Sequence, residues 1–232
     1  MKRHTYTFVY TTLLITSLFT QPVQAVSVNA VEVDIYRGIN VSFELLLPTG
    51  AVETLNLSGS AQMNVFFEGT AEGNAFDNNG NGLDEVSTEM VDLNLTGTSS
   101  FGSITIGLNP SLGSTGLIEE LINTTPGTLD VPPFTTGTAD SFFDVFFTLD
   151  IGGNVMLNVD PMRIAGIIST KPASPGEFEN MFLRLPSVAL YDETGNLTGY
   201  GLAGVPPVPE PATYGLMALG LAMLGFIRRR RK

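Results

Sequence analysis

Short runs of alternating hydrophobic and polar residues fill most of residues 26–207, and Gly, Pro, Asn and Thr separate the runs. The clearest run is SFFDVFFTLDI, residues 141–151. Its alternate apolar positions are Phe143, Val145, Phe147, Leu149 and Ile151. Because successive side chains of a β-strand point to opposite faces of the sheet, this run is predicted to be a strand with one buried face.

The same alternation predicts further strands on both sides of this run. They cover residues 31–36, 40–47, 54–57, 62–69, 89–98, 102–108, 154–159, 188–191 and 197–202. The last two flank a predicted hairpin turn, whereas residues 117–122 are predicted to form a short helical segment and residues 124–137 a long loop. So many short strands predict an all-β fold, an antiparallel β-sandwich of the jelly-roll type over residues 26–203.

The first 25 residues have the layout of a secretory signal peptide. Lys2 and Arg3 precede an apolar stretch from residue 6 to residue 19, and a small-residue site, VQA, follows it. We expect a signal peptidase to cut after Ala25, with Ala30 as the alternative position. The residues that follow would then be exported; a retained signal anchor is the other interpretation.

The C-terminal end combines a linker, an apolar segment and a basic tail. Residues 204–211 form a Pro-rich linker, residues 212–227 are uncharged and mostly apolar, and residues 228–232 are all Arg or Lys. A helix over the apolar segment would be about 24 Å long at ~1.5 Å per residue, less than the ~30 Å core of a bilayer. We predict a marginal transmembrane helix, with its basic tail in the cytoplasm and residues 26–207 on the far side.

The sequence VPEPAT, residues 208–213, followed by the apolar segment and the Arg cluster, resembles the PEP-CTERM sorting signal of Gram-negative bacteria. The resemblance implies that an exosortase-type processing enzyme reads Pro209, Glu210 and Pro211, and that the apolar helix holds the chain transiently in the inner membrane. It also implies a final location at the cell surface or outside the cell, and an association with exopolysaccharide or biofilm production. A plain C-terminal tail anchor is the alternative.

Composition removes several kinds of chemistry. The chain has no Cys, and its one His, His4, lies in the predicted signal peptide. An exported product therefore has no disulfide, no thiolate nucleophile, no Ser-His-Asp triad and no His metal ligand.

Charge narrows the choice of partner. Residues 26–207 contain 22 acidic and 4 basic residues, which gives a net charge of −18. A surface this acidic repels the phosphate backbones of nucleic acids and attracts cations. We therefore expect cations, and not nucleic acids, as partners. The alternative is that the acidity only keeps the protein soluble.

The stretch DNNGNGLDEVSTE, residues 77–89, is the one candidate for a specific binding site. Oxygen-bearing side chains recur at alternate positions around a Gly, as they do in calcium-binding loops. The candidate ligands are Asp77, Asn79, Asn81, Asp84, Glu85 and Glu89. The pattern departs from an EF-hand at Thr88, where a bidentate Glu is required, so a plain Asn-Gly-rich turn is the alternative.

These features predict an exported surface or matrix protein with a structural or interaction role and no enzymatic activity. One alternative is a calcium-assisted carbohydrate-binding module, with Tyr36, Tyr191 and Tyr200 as candidate platforms for sugar rings. The other is a carboxylate-dependent glycan-active enzyme, which requires two facing acids, one of them with a raised pKa.

Overall fold

The computed structural model describes residues 29–183 and 185–205. Several predicted features lie outside this range: the signal peptide (1–25) with its cleavage residue Ala25, the sorting triplet Pro209–Glu210–Pro211, the apolar segment (212–227) and the basic tail (228–232). Within the described range, no helix is long and apolar enough to cross a membrane.

The described residues form eleven β-strands and one short α-helix. The strands are β1 (Val31–Leu46), β2 (Val52–Phe66), β3 (Glu85–Ser99), β4 (Gly102–Leu108), β5 (Ser114–Glu120), β6 (Ala139–Val145), β7 (Phe147–Ile151), β8 (Asn154–Leu157), β9 (Met162–Ile168), β10 (Val188–Tyr191) and β11 (Leu197–Gly204), and the helix is α1 (Pro175–Asn180).

All strand pairs are antiparallel, and one hydrogen-bonded sheet contains every strand. Its order is β2-β1-β11-β10-β8-β7-β4-β3-β5-β6-β9, and β3 also pairs with β2. The eight strands from β2 to β3 therefore close into a ring, called the strand ring below. β3 pairs with β4 along its second half and with β5 along its first half, where β5, β6 and β9 extend the sheet. The predicted all-β, antiparallel class is confirmed.

Long strands replace several of the short ones that the sequence predicts. The predicted strands 31–36 and 40–47 merge into one strand, β1, which ends at Leu46, and a register shift between Arg37 and Ile39 marks the place where a break was predicted. Gly38 has a φ of 68° there, which a residue without a Cβ adopts at little cost. The bulge inserts one extra residue into β1, so that the apolar side chains after it point to the core face, and the strand continues.

The run at residues 141–151 forms two strands, β6 and β7, with Phe146 between them. The backbone amide of Phe146 donates to Ser114 Oγ (2.9 Å), and its carbonyl accepts from the amide of Asn109 (2.9 Å), so these partners replace the ladder at the break. The buried face is confirmed: its five predicted core residues are at most 4% exposed.

The helical segment predicted at residues 117–122 is wrong, because residues 114–120 form β5 between β3 and β6. Pairing on both sides outweighs a weak local preference. The short helix α1 and the strand β9 have no counterpart among the predicted elements. α1 begins with Ser174 as N-cap, whose side chain exchanges hydrogen bonds with Glu177, and with Pro175 in the first turn.

Strands β1 and β9 do not pair with each other, and helix α1 packs against both of them. The backbone amide of Asn40 in β1 donates to Glu179 Oε1 (2.7 Å), and Ala165 in β9 donates to the carbonyl of Met181 (3.3 Å). The ring of Phe178 is fully buried and stacks on Tyr36 at a centroid distance of 4.1 Å. Side-chain and loop contacts thus satisfy two edges that would otherwise be open.

Two hydrophobic cores support this arrangement. The larger core combines side chains of the strand ring with side chains of β6, β9 and α1. The smaller core lies where β3 and β5 meet the loops and includes Val65, Phe67, Val86, Ile118 and Leu129. The smaller core fixes the base of the loop that holds the candidate cation ligands.

Candidate functional site: an acidic loop and a cleft

The candidate calcium-binding stretch forms a loop (residues 77–84) directly before β3. The Asp77 carboxylate organises it: Oδ1 accepts from the amides of Gly80 (2.7 Å) and Asn81 (3.0 Å), and Oδ2 accepts from the amide of Gly82 (2.9 Å). Both glycines have positive φ, 79° and 91°, which lets their amides turn toward one carboxylate.

Two asparagines of the loop contact a pair of glutamates. Asn79 Nδ2 donates to Glu85 Oε2 and to Glu119 Oε1, both at 2.7 Å, and Asn81 Nδ2 donates to Glu119 Oε1 at 2.8 Å. Glu85 and Glu119 face each other across the β3–β5 pair. Burial, together with the facing Glu119 carboxyl, raises the pKa of Glu85 above its usual range. The loop therefore presents a concentration of negative charge.

A second set of acids lies beneath the loop and is buried. The amides of Asp84 and Asp130 donate to the two carboxylate oxygens of Glu120, at 2.9 and 3.0 Å, and the amide of Gly127 donates to Asp84 Oδ2 at 2.6 Å. Burial raises the pKa of Glu120. These contacts connect the acidic loop to residues 121–130, and they occupy the Asp84 side chain.

The predicted ligands separate into two groups. Asp77, Asn79, Asn81 and Glu85 belong to the loop and its first strand contact, and Glu119 joins them although the sequence did not single it out. Asp84 turns inward, and Glu89 lies four residues along β3 from Glu85, about 13 Å away at ~3.3 Å per residue.

Over residues 29–183 and 185–205, no group of three or more Asp, Glu, His or Cys side chains is placed to hold a metal ion. A cation at the loop would therefore depend on the asparagine oxygens as well as on carboxylates. Asparagine oxygens are suitable ligands for Ca²⁺ but not for softer metals. Both Asp77 oxygens and the side-chain oxygens of Asn79 and Asn81 accept backbone amides, so a cation at the loop would have to displace these hydrogen bonds.

A cleft of about 470 Å³ opens on the surface of the described part of the chain. It lies between β8 and the β10–β11 hairpin, which touch through one residue pair, Tyr191 with Leu157. Beyond that pair the two elements diverge, and Phe101 from the β3–β4 turn borders the opening. A gap in the sheet ladder therefore creates the cleft.

The cleft combines aromatic and polar groups. Phe101 is 51% exposed, and Tyr200, Asn154, Thr198 and Asp192 also line the cleft. Hydrogen bonds from Thr194 and Asn196 lower the pKa of Asp192 to about 2, so this carboxylate stays ionised. None of the described lining residues is Lys or Arg. Apolar and aromatic side chains with a few polar groups among them are common in the pockets that bind small molecules.

Residues 207–232 match the PEP-CTERM protein-sorting motif. The chain carries a PEP-CTERM sorting signal. This signal indicates that the protein is exported and sorted through its C-terminal region, with membrane-associated processing by an exosortase on the way to the surface. The match includes the three residues predicted to be read by that enzyme, Pro209, Glu210 and Pro211.

No curated protein shows significant sequence similarity to this chain. Among solved structures, the chain is similar to DynF from the dynemicin biosynthesis pathway of Micromonospora chersina. The two chains are 19% identical, with a TM-score of 0.47, over 83% of this chain and 95% of the other. A similarity of this size supports no conclusion about function.

Proposed function

We propose that the PEP-CTERM protein is a non-catalytic interaction protein of the cell surface or extracellular matrix, associated with exopolysaccharide or biofilm. The sorting signal at residues 207–232 carries this proposal, because it directs the strand ring that precedes it out of the cell. In this pathway a signal peptidase cuts after Ala25, the inner membrane holds the chain transiently, and an exosortase reads Glu210 and the flanking prolines.

The arrangement of acids supports a non-catalytic role. Glycoside hydrolysis requires two carboxyl groups on either side of a sugar, about 5–9.5 Å apart. The cleft has one carboxylate among its described lining residues, Asp192, and its pKa is lowered rather than raised. Glu85 has a raised pKa and faces Glu119, but the Asn79 amide bridges the two carboxylates and takes the place a sugar would need.

The test uses the full chain in a host that has an exosortase. We expect Glu210→Ala to leave a full-length protein in the membrane fraction, whereas wild type is released in a shortened form. Glu193→Ala, an exposed acid in the β10–β11 turn, is the matched control and should be released normally. Release of the Glu210 variant at the wild-type rate would contradict sorting through this triplet.

The exopolysaccharide association is tested separately. Released protein should co-sediment with exopolysaccharide from the producing strain and should leave a mixture of soluble sugars unchanged in composition. Recovery of all protein in the supernatant would contradict the interaction role, and shortening of the polysaccharide would contradict the non-catalytic one.

Calcium assistance is a second candidate, favoured by the meeting of Asp77, Asn79, Asn81, Glu85 and Glu119. Binding to the folded state alone adds RT ln(1 + [L]/Kd) to stability, about 2.7 kcal/mol at a hundredfold excess over Kd. We expect millimolar calcium to raise the Tm of the mature protein by several degrees.

A matched pair of variants decides where calcium acts. Asp77→Ala should abolish the shift in Tm, whereas Asp92→Ala, which removes an exposed carboxylate from β3, should keep it. If calcium leaves the Tm of wild type unchanged, the loop is an Asn-Gly-rich turn and not a calcium site.

A further inference from the structure

A lysine and two carboxylates meet in the interior, away from the acidic loop and the cleft. Lys171 Nζ lies 2.5 Å from Asp34 Oδ2 and 3.1 Å from Glu32 Oε2. The side chains of Lys171 and Asp34 are 1% and 4% exposed, and that of Glu32 is 23% exposed. Glu32 and Asp34 are two residues apart on β1 and therefore share its inward face.

The local structure holds these groups in place. The backbone amide of Lys171 donates to the carbonyl of Pro132 at 2.6 Å, which fixes the start of the lysine side chain. β1 is paired with β2 over its whole length, which fixes Asp34. Tyr36, Phe143 and Phe178 surround the pair and keep bulk water out.

An ordinary ion pair explains this site poorly. Burying two charges costs several kcal/mol per ion, which mutual attraction repays only if every remaining lone pair is hydrogen-bonded. Asp34 Oδ1 is buried and has no hydrogen-bond partner among the described residues. Burial raises the pKa of Asp34 even though the Lys171 ammonium opposes the shift, so the interior favours the neutral form of the Asp34 carboxyl group.

We propose that Lys171 and Asp34 become joined by an isopeptide bond, with Glu32 as the group that transfers the proton. A proton first passes from the Lys171 ammonium to the Asp34 carboxylate, which leaves an amine and a carboxylic acid. The Nζ lone pair then attacks Asp34 Cγ and forms the C–N bond. Glu32 takes a proton from the nitrogen and delivers it to the departing hydroxyl as the C–O bond breaks.

The products are one amide and one water molecule, and no oxidant, reductant or activated cofactor is required. A cavity of about 10 Å³ lined by Asp34, Tyr36 and Lys171 adjoins the reacting atoms. That volume is close to the minimum that holds one water. The amide removes both charges from the interior, and its oxygen and N–H remain close to Glu32.

The bond would give a chain without cysteine a covalent link between distant segments. Asp34 and Lys171 are 137 residues apart in sequence. A link between β1 and the segment after β9 restrains the unfolded chain, as a disulfide of the same loop length would. It also ties together the two strands that have only α1 between them.

Intact-mass spectrometry of the purified, denatured protein tests the proposal without any ligand. We expect wild type to weigh one water molecule less than its sequence requires. A protease digest should contain a branched peptide that joins the segment with Asp34 to the segment with Lys171. A wild-type mass equal to the sequence mass overturns the proposal, and so does a water loss that maps elsewhere, such as a succinimide at another Asp.

Variants assign the roles within the site. Lys171→Arg keeps the positive charge but cannot form the amide, so its mass should equal its own sequence mass. Glu32→Gln keeps both reacting groups and should slow bond formation at least tenfold, whereas Asp92→Ala, on the exposed face of β3, should leave the water loss complete. Crosslinking of Glu32→Gln at the wild-type rate overturns its role in proton transfer.

Discussion

Replacing Phe178 with Ala tests whether α1 holds β1 and β9 together. Phe178 is fully buried, its ring stacks on Tyr36 at 4.1 Å, and it meets Phe182 edge to face at 5.4 Å. α1 has six residues, too few for a helix to be stable by itself. Its position therefore depends on the burial of this side chain.

The expected cost follows from those contacts. A buried Phe→Ala replacement costs about 3–5 kcal/mol, and each aromatic pair adds about 0.5–1.5 kcal/mol beyond its buried area. We expect Phe178→Ala to lower the free energy of unfolding by at least about 4 kcal/mol. Phe101→Ala deletes the same atoms from a side chain that is 51% exposed, and we expect a loss below about 1 kcal/mol.

Urea denaturation of both variants, followed by circular dichroism, measures the difference. The slope of the free energy against urea should stay constant, because neither replacement changes the surface exposed on unfolding by much. If the two variants differ by less than about 1 kcal/mol, then Phe178 does not hold the helix in place, and another contact must close this side of the fold.

Two further changes test the sheet around β5. Glu119→Gln removes a carboxylate facing Glu85, so urea denaturation at pH 7 should show a gain of about 0.5 kcal/mol. The pKa of Glu85 is raised in the folded protein, so the folded state holds a proton that the unfolded state has already lost. The free energy of unfolding of wild type should therefore fall as the pH rises from 4.5, the ordinary pKa of Glu, through the raised pKa, and that of the variant should fall less. Gly116→Ala would push a Cβ into the carbonyl oxygen of Phe142, and we expect it to lower the free energy of unfolding by about 3 kcal/mol or more. Gly113→Ala is the control: a Cβ there has no atom within 4 Å, and we expect a change below about 0.5 kcal/mol. An equal effect of the two glycine variants would contradict the close β5–β6 approach, and an unchanged pH profile in Glu119→Gln would contradict the coupling of the two acids.

The all-β class was predictable because the alternation of apolar and polar residues, with its period of two, is visible within single short segments of the sequence. Residues 141–151 show it plainly, and their inward side chains are the buried ones. Strand ends were harder to predict, since Gly38 looks like a break in the sequence but acts as a bulge within β1. β5 was mistaken for a helix because its partners β3 and β6, rather than its own residues, decide its conformation.

The candidate site, like the fold, was predictable only in part. The turn around Asp77 and the two asparagines was predictable from spacing, because turn chemistry acts over five or six residues. Glu119 was missed, since only the β3–β5 register brings it to Glu85. The cleft and the Lys171–Asp34 contact depend on hairpins and segments far apart along the chain, and no local pattern encodes such distances.

The path of β11 relates the cleft to the sorting signal. β11 begins at Leu197, beside the turn that carries Asp192 in the cleft, and ends at Gly204. Seven steps of ~3.3 Å place those ends about 23 Å apart. Tyr200, which lines the cleft, is four residues or about 13 Å from Gly204, so the strand that forms one wall of the cleft is also the last described strand before the sorting signal at residues 207–232.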